Sequence, residues 1–392
     1  MAQTCEACGK SISKGMKFCP QCGSRMRRTD YIRINIKLMW SAVVAMGVMT
    51  VALGCIFWLL LGMKAEASTP EMILQAQLAG EIVQTPTSTL YKMPPVFAAQ
   101  QPIDQAQYGN ANNAYKDLKI PTQITKAGSF YFLVDCYHDQ VLYTQKLGCP
   151  LNEWKVMTAK AKQPHTIASD GQVYLIDDTE NNGVLVFEWK NGRFQNTQTF
   201  RGIGNRPHYV VYDAPTDSFY VWSSLTGDMY IMKREPVSGM MYIAEMRRLN
   251  ELYGIYVRSF TIAGERIIFP SGNNGYITIA DKNTFEVVAR YPVPEQISGM
   301  VQIMPIGSYY YITVSTDLNY DQSDATIIRT QNLAALSSGQ YEDIYHLFKT
   351  EGTPYYISHM DGMYYMANHR SKRGICRFAV ENDVVKNISQ MY

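Results

Sequence analysis

Four cysteines within the first 22 residues stand as two pairs, Cys5-Glu-Ala-Cys8-Gly and Cys19-Pro-Gln-Cys22-Gly. The two-residue spacing lets each pair turn back so that both thiolates reach one ion, and Gly9 and Gly23 relieve the backbone where it curls. Four thiolates close a tetrahedral shell around Zn2+, which makes a structural site with no open position for a substrate. A redox dithiol needs one such pair, and here there are two. A segment this short has almost no core of its own. The metal is therefore expected to supply most of the folding free energy of residues 1–30.

A second set of chemically capable side chains recurs further along. Six residues before the turn glycines Gly171, Gly264 and Gly362 stand His165, Arg258 and Tyr356, and His208 follows Pro207 as His165 follows Pro164. If matching positions converge, this ring of imidazole, guanidinium and phenol suits an anionic or sugar-like ligand. Polar residues that only hold water read the same way. Asp177, Asp178, His369 and Arg370 lie in polar hairpins and are candidates for glycan hydroxyls or calcium, although ordinary tight turns need the same residue types. Nucleophile-elbow (GxSxG), zinc-protease (HExxH), phosphate-loop and dinucleotide-loop signatures are absent from the sequence, so no catalytic residue is assigned.

The elements that must position this second set are strands. Beyond Gly128, short β-branched and aromatic runs such as Gln172-Val-Tyr-Leu-Ile, Ser218-Phe-Tyr-Val-Trp and Tyr309-Tyr-Tyr-Ile-Thr-Val alternate with turn residues. Similar starts recur at Pro121, Pro164, Pro207, Val257, Val301 and Pro354, at intervals of 43, 43, 50, 44 and 53 residues. Such intervals fit four-stranded propeller blades and predict an all-β, about six-bladed β-propeller over 127–392, with a β-sandwich as the alternative. The strand, Asp-Gly turn, strand and polar hairpin of Pro164 to Phe187 resemble the NHL, YncE-like and SMP-30-like propellers. Phe18-Cys-Pro-Gln-Cys-Gly23 likewise resembles the second knuckle of short bacterial zinc ribbons. In the propeller families the first strand of each blade lines the channel, and SMP-30-like lactonases hold a divalent ion there with carboxylates. The matching positions here lack Glu, which departs from that pattern.

Between the two parts lies Leu38 to Met63, 26 residues without a charge, long enough for a tilted membrane helix. Eight Lys or Arg residues precede it, from Lys10 to Lys37, and only Lys64 follows within twenty residues. This asymmetry places the N-terminus in the cytoplasm, where thiols stay reduced, and the C-terminal part outside. The run exceeds a signal-peptide core, although Ala65-Glu-Ala67 resembles a cleavage site. Residues 64–126, rich in Ala, Gln, Thr and Pro, read as an extended linker. A net charge of +2 gives no field that would draw the whole chain onto nucleic acid. Outside the cell, Cys136 and Cys149 are candidates for a short disulfide, leaving Cys376 unpaired. The layout suggests a single-pass protein of a bacterial cell surface. Its propeller would hold an envelope glycan, peptide or protein, and its zinc ribbon would dock a cytoplasmic partner. The alternative is a propeller enzyme of lactonase, lyase or hydrolase type acting on a sugar-like substrate.

Overall fold

The computed structural model describes residues 111–270, 272–316, 322 and 325–392, together with the short strands Ala2–Thr4, Ser11–Ser13, Ser88–Tyr91 and Val96–Phe97. The chain divides into two units, Met1–Ala76 and Gln77–Tyr392. In the first, Ala2–Thr4 pairs antiparallel with Ser11–Ser13, so the first cysteine pair falls in sequence between two bonded strands. Cys5, Cys8, Cys19 and Cys22 themselves lie outside the described residues, as does the apolar run 38–63. Among the described residues no helix is long and apolar enough to cross a membrane.

Blade 2 shows how sequence becomes structure in the second unit. Its strands are Ile167–Ser169, Val173–Asp178, Gly183–Lys190 and Arg193–Arg201, paired in order as an antiparallel meander. The first turn is built by Asp170, whose Oδ1 accepts from the backbone N–H groups of Gln172 and Val173 at 2.8 Å, and by Gly171 at φ +92°. The second strand is buried on both faces. Tyr174 and Ile176 pack with Phe130, Phe132 and Tyr143 of blade 1, while Val173 and Leu175 pack with Phe219, Val221 and Tyr230 of blade 3. Burial on both faces explains why these strands read as continuous apolar runs rather than as alternating ones.

Six such four-stranded meanders follow one another. Their first strands are Pro121–Ala127, Ile167–Ser169, Pro207–Asp213, Thr261–Ala263, Gly299–Ile306 and Thr353–Met360, within four residues of the sequence repeat starts. The ring closes without strand exchange, because blade 1 and blade 6 each draw all four strands from one continuous segment. Side chains make the seam instead. Asp361 of blade 6 accepts from Lys126 Nζ at 2.6 Å and from Tyr131 Oη at 2.5 Å. Tyr392 packs edge-on against Trp154 with ring centroids 5.5 Å apart, and its hydroxyl accepts from Gly148 N at 2.8 Å.

Two features go beyond the sequence reading. Ser88–Tyr91 and Val96–Phe97, within the stretch read as an extended linker, pair antiparallel with the outer strand of blade 3, Met241–Leu249. They cover an edge whose backbone groups would otherwise lack partners. The candidate disulfide between Cys136 and Cys149 is not formed: both are buried free thiols, as is Cys376. The Cys136 Sγ lies 3.6 Å from His165 Nε2 and the Cys149 Sγ 3.6 Å from Thr144 Oγ1, so each already has a separate neighbour.

Candidate functional site

The central channel is plugged. Tyr209 packs against Phe260 and Tyr356 with ring centroids 5.5 Å and 4.8 Å apart, and Gln302 Nε2 donates to Tyr209 Oη at 3.1 Å and to Ile357 O at 3.2 Å. On the side of the turns that follow the first strands, a cavity of about 230 Å3 remains, lined by Gln123, Thr125, Lys126, Ser169 and Tyr212 among others. The opposite side, called here the mouth face, carries the segments that lead into the first strands and the hairpins that follow the second strands.

Most of the ring inferred from sequence meets at the mouth face. The His165 and His208 rings lie 3.5 Å apart between centroids. His208 Nε2 is 3.0 Å from Tyr355 Oη and 3.3 Å from Tyr256 Oη. Tyr355 stacks on His369 at 4.2 Å, and the Arg258 guanidinium sits 4.9 Å above the Tyr256 ring. Tyr356 lies one layer deeper, where its hydroxyl donates to Arg258 O at 2.8 Å. Tyr256 and Arg206 were not singled out from the sequence, and Tyr355 stood out only as part of the Tyr355-Tyr356 pair, where an aromatic could stack a sugar ring or simply pack. Tyr256 is two residues from Arg258, Tyr355 adjoins Tyr356, and Arg206 precedes the Pro-His start of blade 3. Neighbourhood to a repeat-matched position was the signal available.

Burial sets the electrostatics. It holds His165 below the usual imidazole range against the opposing pull of Asp177, drives His208 well below that range, and lowers His369 to about 3. The imidazoles are therefore neutral at physiological pH. Burial likewise raises Tyr355, Tyr356 and Cys136 well above their ordinary values. Arg206 and Arg258 are 2% and 7% exposed, so two guanidinium charges are sunk beside neutral rings.

The aspartates do different work. Asp177 accepts from His165 N at 2.9 Å, Thr166 N at 2.6 Å and Thr166 Oγ1 at 2.8 Å. Asp178 accepts from Lys162 N at 2.6 Å and from Asn181 Nδ2 at 3.0 Å, and also pairs with Arg201. Both carboxylates are fully buried and tie the incoming strand to the hairpin. Arg370 is exposed and bonds Gln322.

A chain of contacts runs from Cys136 Sγ to His165 Nε2, from His165 Nδ1 to Thr179 Oγ1 at 3.0 Å, and from Thr179 Oγ1 to Asp177 Oδ2 at 2.7 Å. Its order mimics that of a nucleophile, base and acid. The thiol is fully buried and held protonated, however, which is the state of an inert cysteine rather than an activated one. Among the described residues no three His, Cys, Asp or Glu side chains converge to hold a metal ion.

Comparisons with known proteins agree with both units. Residues 4–26 match the zinc-ribbon domain family, and Cys5, Cys8, Cys19 and Cys22 lie within the match. The four-cysteine donor set fits Zn2+. A comparison with curated proteins finds no match. Among solved structures, the chain is similar to a putative 6-phosphogluconolactonase from Bacteroides fragilis at 10% identity and a TM-score of 0.50, covering 68% of this chain and 83% of that one. A putative 6-phosphogluconolactonase from Bacteroides uniformis follows at 11% identity, TM-score 0.49, with 67% and 83% covered. A streptogramin B lyase structure gives 13% identity, TM-score 0.48, with 73% and 87% covered. At 10% identity the likeness to the Bacteroides fragilis structure shows the fold alone.

Proposed function

We propose that the chain is a single-pass membrane protein that carries its zinc ribbon in the cytoplasm and its propeller outside, where the mouth face binds a cell-envelope glycan, peptide or protein. The uncharged run 38–63 and the excess of Lys and Arg before it support the anchor and its direction. The zinc ribbon, too small for a catalytic site, serves as a docking module for a cytoplasmic partner. One observation carries the binding role: buried arginine, histidine and tyrosine side chains from blades 2, 3, 4 and 6 meet at one end of a plugged channel. Packing alone does not call for such polar groups, which cost free energy to bury. The lactonase and lyase names belong to the similar structures. The inert Cys136 gives the enzyme reading no nucleophile at this site.

The two faces make the test specific. The full chain in detergent micelles is immobilised and offered soluble envelope polysaccharide and peptidoglycan fragments. His369→Ala, at the mouth face, is expected to reduce retention at least fivefold, whereas Lys126→Ala, at the opposite cavity, leaves it unchanged. Equal retention by wild type and His369→Ala would remove the mouth face from the proposal.

A further inference from the structure

Three polar atoms of the cluster around His208 are among those buried without a hydrogen-bond partner among the described residues: Arg258 Nη1, His208 Nδ1 and His369 Nε2. Their protonation states follow from their neighbours. His208 Nε2 lies against the Tyr355 and Tyr256 hydroxyls; with a phenol donating to it, the neutral ring carries its hydrogen on Nδ1, an orphan donor on a side chain with 0% exposure. His369 bonds the Pro121 carbonyl through its other nitrogen, which leaves Nε2 as an orphan lone pair. Arg258 is 93% buried, since 7% of it is exposed, and Nη1 is a charged orphan donor. The oxygens of the nearby buried carboxylate of Asp177 are taken by backbone and threonine donors. An unmade bond at a buried donor costs free energy, more when the donor is charged, so a partner that completes all three gains accordingly.

We infer that this cluster recognises an acidic sugar: a carboxylate on Arg258 and His208, with a neighbouring hydroxyl donating to His369. A neutral sugar leaves the charge of Arg258 unmatched, and an anion without a hydroxyl leaves the His369 lone pair unmatched. A phosphate group bearing one proton offers the same combination and is the other source of this chemistry. The inference rests on the mouth face being a ligand site and adds the chemical class of the ligand.

Calorimetry on the full chain in detergent separates the cases, with D-glucuronate, D-glucose and inorganic phosphate as probes. Glucuronate is expected to bind at least tenfold more tightly than glucose. Arg258→Gln should weaken glucuronate binding at least tenfold while the thermal transition remains cooperative. His369→Phe keeps the ring stack on Tyr355 but removes the lone pair, and it should weaken binding by a smaller factor; this variant serves if Arg258→Gln does not fold. Binding of phosphate in place of glucuronate, with the same dependence on Arg258, supports the oxyanion assignment and identifies phosphate as its source. If neither acid binds, the orphan atoms hold only water and the inference is overturned. If glucose binds as well as glucuronate and Arg258→Gln changes nothing, acid recognition is overturned while a mouth-face binding site survives.

Discussion

Asp177 and His369 were both marked in the sequence as polar hairpin residues, and the fold gives them opposite roles. Asp177 is an anchor for four donors. Asp177→Ala strands two buried backbone N–H groups and a hydroxyl, so it is expected to cost about 3 kcal/mol in urea denaturation of the full chain. A loss under about 0.5 kcal/mol would mean that the tether is dispensable. Position in the sequence could not separate a tether from a ligand group, because both are polar residues at the end of a second strand and only the incoming segment decides which partners they meet. His369 is lowered to about 3 by burial first, with His165, Arg258 and Arg370 adding to it. Its folded value is below the unfolded value of 6.5, so the unfolded chain takes up the proton first. The stability tied to neutral His369 is complete above pH 6.5 and is lost as the pH falls from there toward about 3. His165 and His208 are shifted in the same direction and add to the slope. The melting temperature should fall as the pH is lowered from about 7 to about 5, and less steeply in His369→Phe. An identical slope in the two proteins would contradict this assignment.

At the level of elements, the blades were legible because each is a local meander whose turn residues and apolar runs repeat at a blade-length interval. The Pro-His starts at 164 and 207 fall at the beginning of blades 2 and 3 for this reason. The extra strands on blade 3 were not legible. Ser88-Thr-Leu-Tyr91 is four residues long within a polar, Thr- and Pro-rich stretch, and its partner lies more than 150 residues away at Met246 to Leu249. A strand that short has no periodicity to read. It nevertheless pairs Leu90 with Arg247 and Thr89 with Arg248. N–H groups alternate between the two edges of a strand, so proline at both 89 and 90 removes one from this pairing, and Thr89→Pro combined with Leu90→Pro should speed amide hydrogen exchange along Met241–Leu249 at least tenfold, with the second strand of blade 3, Ser218–Ser223, unaffected. Uniform exchange in wild type and variant would show that the outer edge of blade 3 needs no cover. The channel site was legible only in part for a related reason. Repeat offsets found His165, His208, Arg258 and Tyr356, but Tyr256 and Tyr355 reach it from positions that the repeat does not mark.

The whole molecule joins a thiol-rich N-terminal unit to a propeller whose own three cysteines are buried and unbridged. Buried thiols resist oxidation whichever side of a membrane they face, so the propeller cysteines do not report its compartment. The proposed direction across a membrane rests on the charge asymmetry around residues 38–63, and the mouth-face site meets an envelope ligand only if that proposal holds. A surface cysteine supplies the missing reporter. Val237 is 94% exposed in the loop before the outer strand of blade 3, and its replacement disturbs no packed side chain. Val237→Cys in intact cells, treated with a membrane-impermeant maleimide, is predicted to be labelled at once while the wild-type chain is not. Labelling of Val237→Cys only after the cells are permeabilised would place the propeller inside and contradict the account.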